Sequence, residues 1–334
     1  MSETRIWKGH GLGNDYLIAD VADLPAPLSP ARIRFLCDRH RGLGSDGILL
    51  ADIGNGGIGV VGDDAQLNAP GSTGPAEAAR SARSREPARE AGAPGRAHGY
   101  ALRIFNPDGT EAEKSGNGLR IFGAWLYRGG LVGLGEWFDV RLIRDRVRMR
   151  VEAELSHGAL LIRVALGRAV FRGEDVAFRP RADEVLDYEL ALPHGGSARI
   201  NTVSLSNPHC VVFVPALDRA DFLARAPQLC RHPGFAAGTN VQFARVAGPR
   251  TLEAWIWERG VGETLASGSS ASAVCAAAVR RGLVAPGALQ VVMPGGTADV
   301  DVTPDYEVVL VAPAQLIYEA ALVAGAEAEY LTLA

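Results

Sequence analysis

Short apolar runs and period-two alternation mark nine stretches of the chain: 16–20 (YLIAD), 47–52, 100–105, 147–155, 159–166, 210–214, 251–258 (TLEAWIWE), 288–293 and 306–312. β-Branched and aromatic residues are concentrated in them, so each is expected to be a strand with a face in a core. Helical spacing is confined to four segments, at 30–39, 116–128, 219–226 and 268–281. A few helices scattered among many short strands predict an α+β protein of mostly antiparallel strands wrapped around a small number of helices.

Between 54 and 98 the pattern dissolves into Gly, Ala, Pro, Ser and Arg, as in GPAEAARSARSREPAREAGAPGRAHG. Such a stretch buries too little apolar surface to offset its ordering entropy, and it reads as a disordered insertion between two strands. Its arginines are offset by Glu77, Glu86 and Glu90, which argues against a nucleic-acid tail.

Two of the helical segments are near copies. SGNGLRIFGAWLYRGGLV (115–132) aligns without gaps on SGSSASAVCAAAVRRGLV (267–284), matching at Ser, Gly, Ala, Arg, Gly, Leu and Val. A glutamate stands four residues before each serine, Glu111 and Glu263. Weaker echoes, Asn14 with Asn207 and RGLGSDG (41–47) with FAAGTNV (235–241), occur in the same order, so the chain is expected to be two half-molecules built on one plan. The expected division is 1–155 plus 313–334 for the first half and 156–312 for the second.

In both copies Ser-Gly leads into a helix, which makes Ser115 and Ser267 N-caps. A cap alone is the plain reading. The functional one is an anion site, because the first amides of a helix are free and its dipole favours negative charge there. The chain has no GxxxxGK[ST] or GxSxG motif, and the glycines of GHGLGND precede a strand, so a phosphate loop, a nucleotide fingerprint and a serine-hydrolase elbow are all poor fits.

The remaining composition narrows the class. With 334 residues, 47% apolar, 22% charged and a formal charge of -4, the chain is ordinary for a soluble protein, and nothing suggests a nucleic-acid or membrane partner. Its N-terminus lacks a signal-peptide pattern, which predicts a cytoplasmic location. Four cysteines, Cys37, Cys210, Cys230 and Cys275, with no CxxC spacing, do not make a disulfide framework. CDRH at 37–40 has no second half to complete a metal site, and Cys210, beside His209, reads as a core thiol.

Taken in order, KGHGLGNDYLIAD, LCDRHRGLGSDGILL, RIFNPDGTEAEKSGNGLR, SNPHCVVFV, GTNVQFARV, WERGVGETLASGSSASA and VVMPGG are similar to the signature segments of the diaminopimelate epimerase family. The resemblance spans nearly the whole chain outside 54–98. It implies two pseudo-symmetric halves, each a curved sheet around a central helix, with the active site between them. It also implies interconversion of LL- and meso-diaminopimelate in lysine biosynthesis, without pyridoxal, other cofactor or metal, by one base on each face of the α-carbon. A homodimer is left open as the assembly.

In that family the two bases are cysteines at the heads of the central helices; here the matching residues are Ser115 and Ser267. The resemblance further implies that Asn14, Asn106, Asn207 and Asn240 bind polar ends of the substrate. Glu258 would take its ammonium, Arg259 its distal carboxylate, and Gly116, Asn117, Gly268 and Ser269 its α-carboxylate; His209 and Glu258 would tune the catalytic groups. An alcohol is so weak an acid that inversion is expected to be impaired. Two further readings stand beside this one: an isomerase of the same fold that uses His209 or Glu258 as base on a more acidic carbon, and a catalytically silent diamino-acid binding protein.

Overall fold

The computed structural model describes residues 5–24, 26–53, 99–323 and 325–326. The insertion read from the sequence lies outside the described residues. The first described strands are β1 (Arg5–Gly11), β2 (Asn14–Asp20), β3 (Ile48–Asp52), β4 (Gly99–Phe105), β5 (Glu111–Ala112), β6 (Trp137–Arg141), β7 (Arg146–Glu154) and β8 (Leu160–Arg168). After β9 (Tyr188–Ala191) come β10 (Ser197–Ser204), β11 (Pro208–Phe213), β12 (Asn240–Gly248), β13 (Thr251–Glu258), β14 (Gly262–Thr264), β15 (Gly287–Met293), β16 (Gly296–Val302) and β17 (Glu307–Ala321). Among the described residues four α-helices are interspersed: α1 (Pro30–Cys37), α2 (Gly116–Arg128), α3 (Arg219–Cys230) and α4 (Gly268–Arg280).

The pairing pattern repeats. In the first set β1–β2 is antiparallel, β2–β3 parallel, β3–β4 antiparallel, β4–β6 parallel, and β6–β7 and β7–β8 antiparallel. In the second, β10–β11, β11–β12, β12–β13, β13–β15, β15–β16 and β16–β17 follow the same sequence of senses. A parallel pair needs a crossover, usually a helix. Accordingly α1 and α3 bridge the first parallel pair of each set, and α2 and α4 the second. The architecture is α+β, as the scatter of few helices among many strands predicts.

β17 joins the two sets. Its residues 307–314 pair with β8 and 315–321 with β1, which closes the first set into an eight-stranded ring, while 308–311 also pair with β16. The second ring closes where Val170, just past β8, bridges Ser204 of β10. Each ring encloses a helix. α2 is buried from Gly116 to Leu126, with Phe122 stacked on Trp125 at 5.9 Å between ring centroids, and α4 is buried from Gly268 to Val279. A helix buried all round needs no polar face. The small residues of GSSASAVCAAAV let strands pack on α4 from every side.

Residues 116–128 and 251–258 have the bounds that the pattern predicts. Helix α3 runs four residues past its expected end, through Pro227 to Cys230, because a proline in the last turn removes one N–H donor yet keeps its carbonyl, which accepts from Arg231 N at 3.3 Å. Eight of the described strands do not stand out in the hydrophobic pattern. Glycines in β1, Gln242 and Arg245 in β12 and aspartates in β16 hide the alternation.

Candidate active site

The heads of α2 and α4 meet at the junction of the two rings. Short strands β5 and β14 fold back on β4 and β13, and the chain then turns through an extended serine into each helix, with φ/ψ of −138°/117° at Ser115 and −146°/124° at Ser267. Ser115 Oγ accepts from Gly118 N at 3.1 Å and Ser267 Oγ from Ser270 N at 3.4 Å, so both serines are N-caps. The approach is close enough to demand glycine on both sides. A Cβ on Gly116 would lie 2.9 Å from Ser269 N, and one on Gly268 would lie 2.5 Å from Arg120 Nη1. Glu111 and Glu263 pair with Arg103 and Arg219, away from the serines they precede.

Asn117 locks the junction. Its Nδ2 donates to Asn14 Oδ1 and to Ala266 O, both at 2.8 Å, and its Oδ1 accepts from Arg120 Nη2 at 2.8 Å and Gly268 N at 3.2 Å. Asn14 in turn donates to Asp46 Oδ2 at 2.8 Å. The side chains of both asparagines thus tie the structure together behind the cleft. Replacing Asn117 by alanine strands several buried polar groups at once, each costing about 1–3 kcal/mol, and is expected to destabilise the protein by roughly 3–5 kcal/mol in urea unfolding. A loss under about 1 kcal/mol would show that the helix heads are not held this way.

Arg120 adds charge. It is fully buried and bonded to neutral oxygens, those of Pro313, Gly116 and Asn117. Burial lowers its pKa to about 9, which leaves it a cation at neutral pH. One guanidinium and two helix N-termini therefore favour an anion at the junction.

In front of it lies a cavity of about 50 Å³, room for a few water molecules. Asn106 and Ser115 line it from the first ring; Asn207, Asn240, Glu258, Arg259 and Ser269 line it from the second. Asn14, Asn117, His209 and Ser267 are buried around the cavity and bonded to one another or to its lining. Arg259 reaches across to Glu113 Oε2 at 2.9 Å and donates to Ala237 O at 3.1 Å, while its backbone N–H donates to Asn240 Oδ1 at 2.9 Å. Thus an ion pair and a set of amides face the same small space from both rings.

The titratable groups divide sharply. Glu258 has its carboxyl pushed up to about 7, chiefly by burial and further by Asp46, while a hydrogen bond from Ser267 acts the other way. His209 is pushed down to about 3 by burial and by Arg259. Its Nε2 lies 2.9 Å from Asn207 Oδ1, and its Nδ1 lies 3.1 Å from Gln242 Nε2. The ring is therefore neutral, both nitrogens are engaged, and it orients Asn207. Glu258 is left as the base of neutral-pH strength at the cavity. Cys210 is fully buried in the second ring, and burial pushes its thiol well above the ordinary range.

Several residues of the site escaped the sequence reading. Tyr16, Glu113 and Lys114 line the cavity, and Gln242 holds His209. A signal exists for Gln242, a lone amide inside the apolar run VQF, and for Arg120, also missed, a charge in the middle of a buried helix. Among the described residues there is no cluster of three or more His, Cys, Asp or Glu side chains able to hold a metal.

A family model for diaminopimelate epimerase matches residues 6–171 and 201–317. Diaminopimelate epimerase 2 of Nostoc sp. is 34% identical over 91% of this chain and 90% of its own length. The diaminopimelate epimerase of Chromobacterium violaceum is 32% identical over 83% of each. Among solved structures, a predicted epimerase from Pseudomonas aeruginosa superposes with a TM-score of 0.58 at 18% identity, covering 96% of this chain and 99% of that one. A probable proline racemase from Agrobacterium radiobacter superposes with a TM-score of 0.63 at 14% identity, covering 96% and 93%. These last two share the fold, and the sequence relatives carry the assignment: the chain belongs to the diaminopimelate epimerase family of isomerases.

Proposed function

We propose that the cleft binds diaminopimelate and that two-base inversion through Ser115 and Ser267 is suppressed by their chemistry. The observation that carries this reading is the meeting of two serine-capped helix heads at a cavity faced by the Arg259 guanidinium and three asparagines. Asn106, Asn207 and Asn240 are suited to the directional reading of ammonium and carboxylate groups. Arg259 suits the distal carboxylate, which would compete with Glu113 for it. First-turn amides from Gly116, Asn117 and Ser269, backed by Arg120, suit the α-carboxylate as it takes on enolate-like charge. The buried free thiols fit a reducing compartment such as the cytoplasm.

The magnitudes decide against the serines as bases. A thiol ionises near about 8.5 and an alcohol near roughly 15.7, so the alkoxide is harder to reach by ~10 kcal/mol. A helix N-terminus returns only about 0.3–2 kcal/mol to an anion. Glu258 changes the balance: at about 7 it is weaker than a thiolate by about 1.5 pKa units, or ~2 kcal/mol. That single observation favours a second reading, in which Glu258 is the working base of a thiol-independent isomerase.

Calorimetric titration with LL-diaminopimelate tests the binding claim. Saturable heat is expected, weakened at least roughly tenfold in Arg259→Met, since a charge-assisted hydrogen bond contributes about 1.5–3 kcal/mol. Absence of binding, or unchanged affinity in Arg259→Met, would remove diaminopimelate from the proposal.

A further inference from the structure

Tyr16 was given no role by the sequence, yet its side chain lines the cavity. Strand β2 is buried along its whole length, and the Tyr16 ring reaches from it to the head of α2. There its hydroxyl oxygen lies 3.1 Å from Ser115 Oγ, and both side chains line the cavity that Glu258 also lines. The ring is backed closely. A Cβ on Gly47 would fall 2.6 Å from Tyr16 Cε1 and 2.4 Å from Phe105 O, so position 47 has no side chain where the ring stands.

A count of protons gives this contact a meaning. A serine hydroxyl has one proton and two lone pairs. One lone pair of Ser115 accepts from Gly118 N, and the Tyr16 contact takes either the other lone pair or the proton. Either way the pair keeps one O–H proton beside the cavity. Burial and the Glu258 charge hold the Tyr16 phenol well above its ordinary range, so it is protonated in the resting site. From the second ring the Glu258 carboxyl lines the same cavity. The cavity thus has a hydroxyl pair on the side of the first ring and a carboxyl on the side of the second.

We propose that Tyr16 is the proton donor behind Ser115: the two hydroxyls form the acid half of a proton-transfer site whose base half is Glu258. The proposal rests on the reading of Glu258 as the base. In one turnover the Glu258 carboxylate takes the substrate α-proton, breaking the C–H bond and forming an O–H bond, and the electron pair passes into the α-carboxylate as an enolate. Ser115 gives its hydroxyl proton to the other face of the carbon, making the new C–H bond, and takes the phenolic proton of Tyr16. Neutral Glu258 and a Tyr16 phenolate remain, with the total charge unchanged, and solvent carries a proton from one to the other to restore the resting state. Without the phenol, Ser115 would be left as an alkoxide on giving its proton, so the proton returns chiefly from Glu258 to the face it left, which gives exchange with little inversion.

The test incubates LL-diaminopimelate with the full chain in deuterium oxide. NMR follows loss of the α-proton signal, and chiral separation follows formation of the meso form. The wild type is expected to exchange and to invert slowly. Tyr16→Phe should lower inversion by about 100-fold, in the range general acids contribute, while exchange stays within a fewfold of wild type. Ser115→Ala, which breaks the relay at its other atom, should behave in the same way. A purely structural role would depress exchange and inversion together. If Tyr16→Phe inverts at the wild-type rate, or the wild type exchanges only with retention, the role of Tyr16 is overturned and Glu258 stands. If exchange survives Glu258→Gln, it is the base assignment that fails, and a wild type with no exchange overturns both.

Discussion

Ser115→Cys combined with Ser267→Cys is expected to raise α-proton exchange and inversion of LL-diaminopimelate by at least about a hundredfold over the wild type. The scaffold for two thiols is already present. Each serine is an extended N-cap at the head of a buried helix, and a thiol there is drawn toward the thiolate by the free amides and the dipole. Arg120, buried beside both heads, adds to the same field. The wild type, by contrast, can offer one carboxylate, on one side. Each single cysteine variant should restore a base to one face only, and so gain less inversion than the pair. If the double variant shows no gain in exchange, the junction of the two helices is not a proton-transfer site for this amino acid.

Glu258→Gln is expected to abolish the residual exchange and, at the same time, to make the protein more stable at neutral and alkaline pH. Both effects come from one raised pKa. The ordinary value is 4.5 and the folded value about 7, so the unfolded chain releases this proton at lower pH than the folded one. The contribution to stability is therefore full below about 4.5 and lost as pH rises through 7. At pH 8 the wild type would carry a penalty of at most about 3 kcal/mol, reduced by the partial access of water to this side chain. The midpoint of thermal unfolding should thus be higher in Glu258→Gln than in wild type at pH 8, with the gap closing toward pH 4.5. Exchange by the wild type should rise with pH through about 7 and level off above it. A flat pH profile would exclude Glu258 as the base; saturable binding with no exchange at any pH would leave a silent diamino-acid binder.

The duplication was the most legible feature of the chain. SGNGLRIFGAWLYRGGLV and SGSSASAVCAAAVRRGLV are local, contiguous patterns, and a helix that fills a ring of strands must be apolar all round, which any reading of hydrophobicity detects. Ser-Gly before such a run marks a cap by the same local logic. Strand β12 was invisible because a strand in contact with a polar network carries polar residues on its buried face: Gln242 is there to hold His209 and Ser270.

The sequence by itself determined an α+β chain, the two helix heads, and the serine at each of them, because each is written in residues close together along the chain. Tertiary structure alone decided what those heads touch. Ser115 and Tyr16 are 99 positions apart, Asn117 and Ala266 are 149 apart, and Arg259 and Glu113 are 146 apart. No periodicity links residues at such separations. The strength of Glu258 as a base and the neutrality of His209 likewise depend on how much water the closed rings exclude, a property that exists only once the chain has folded around them.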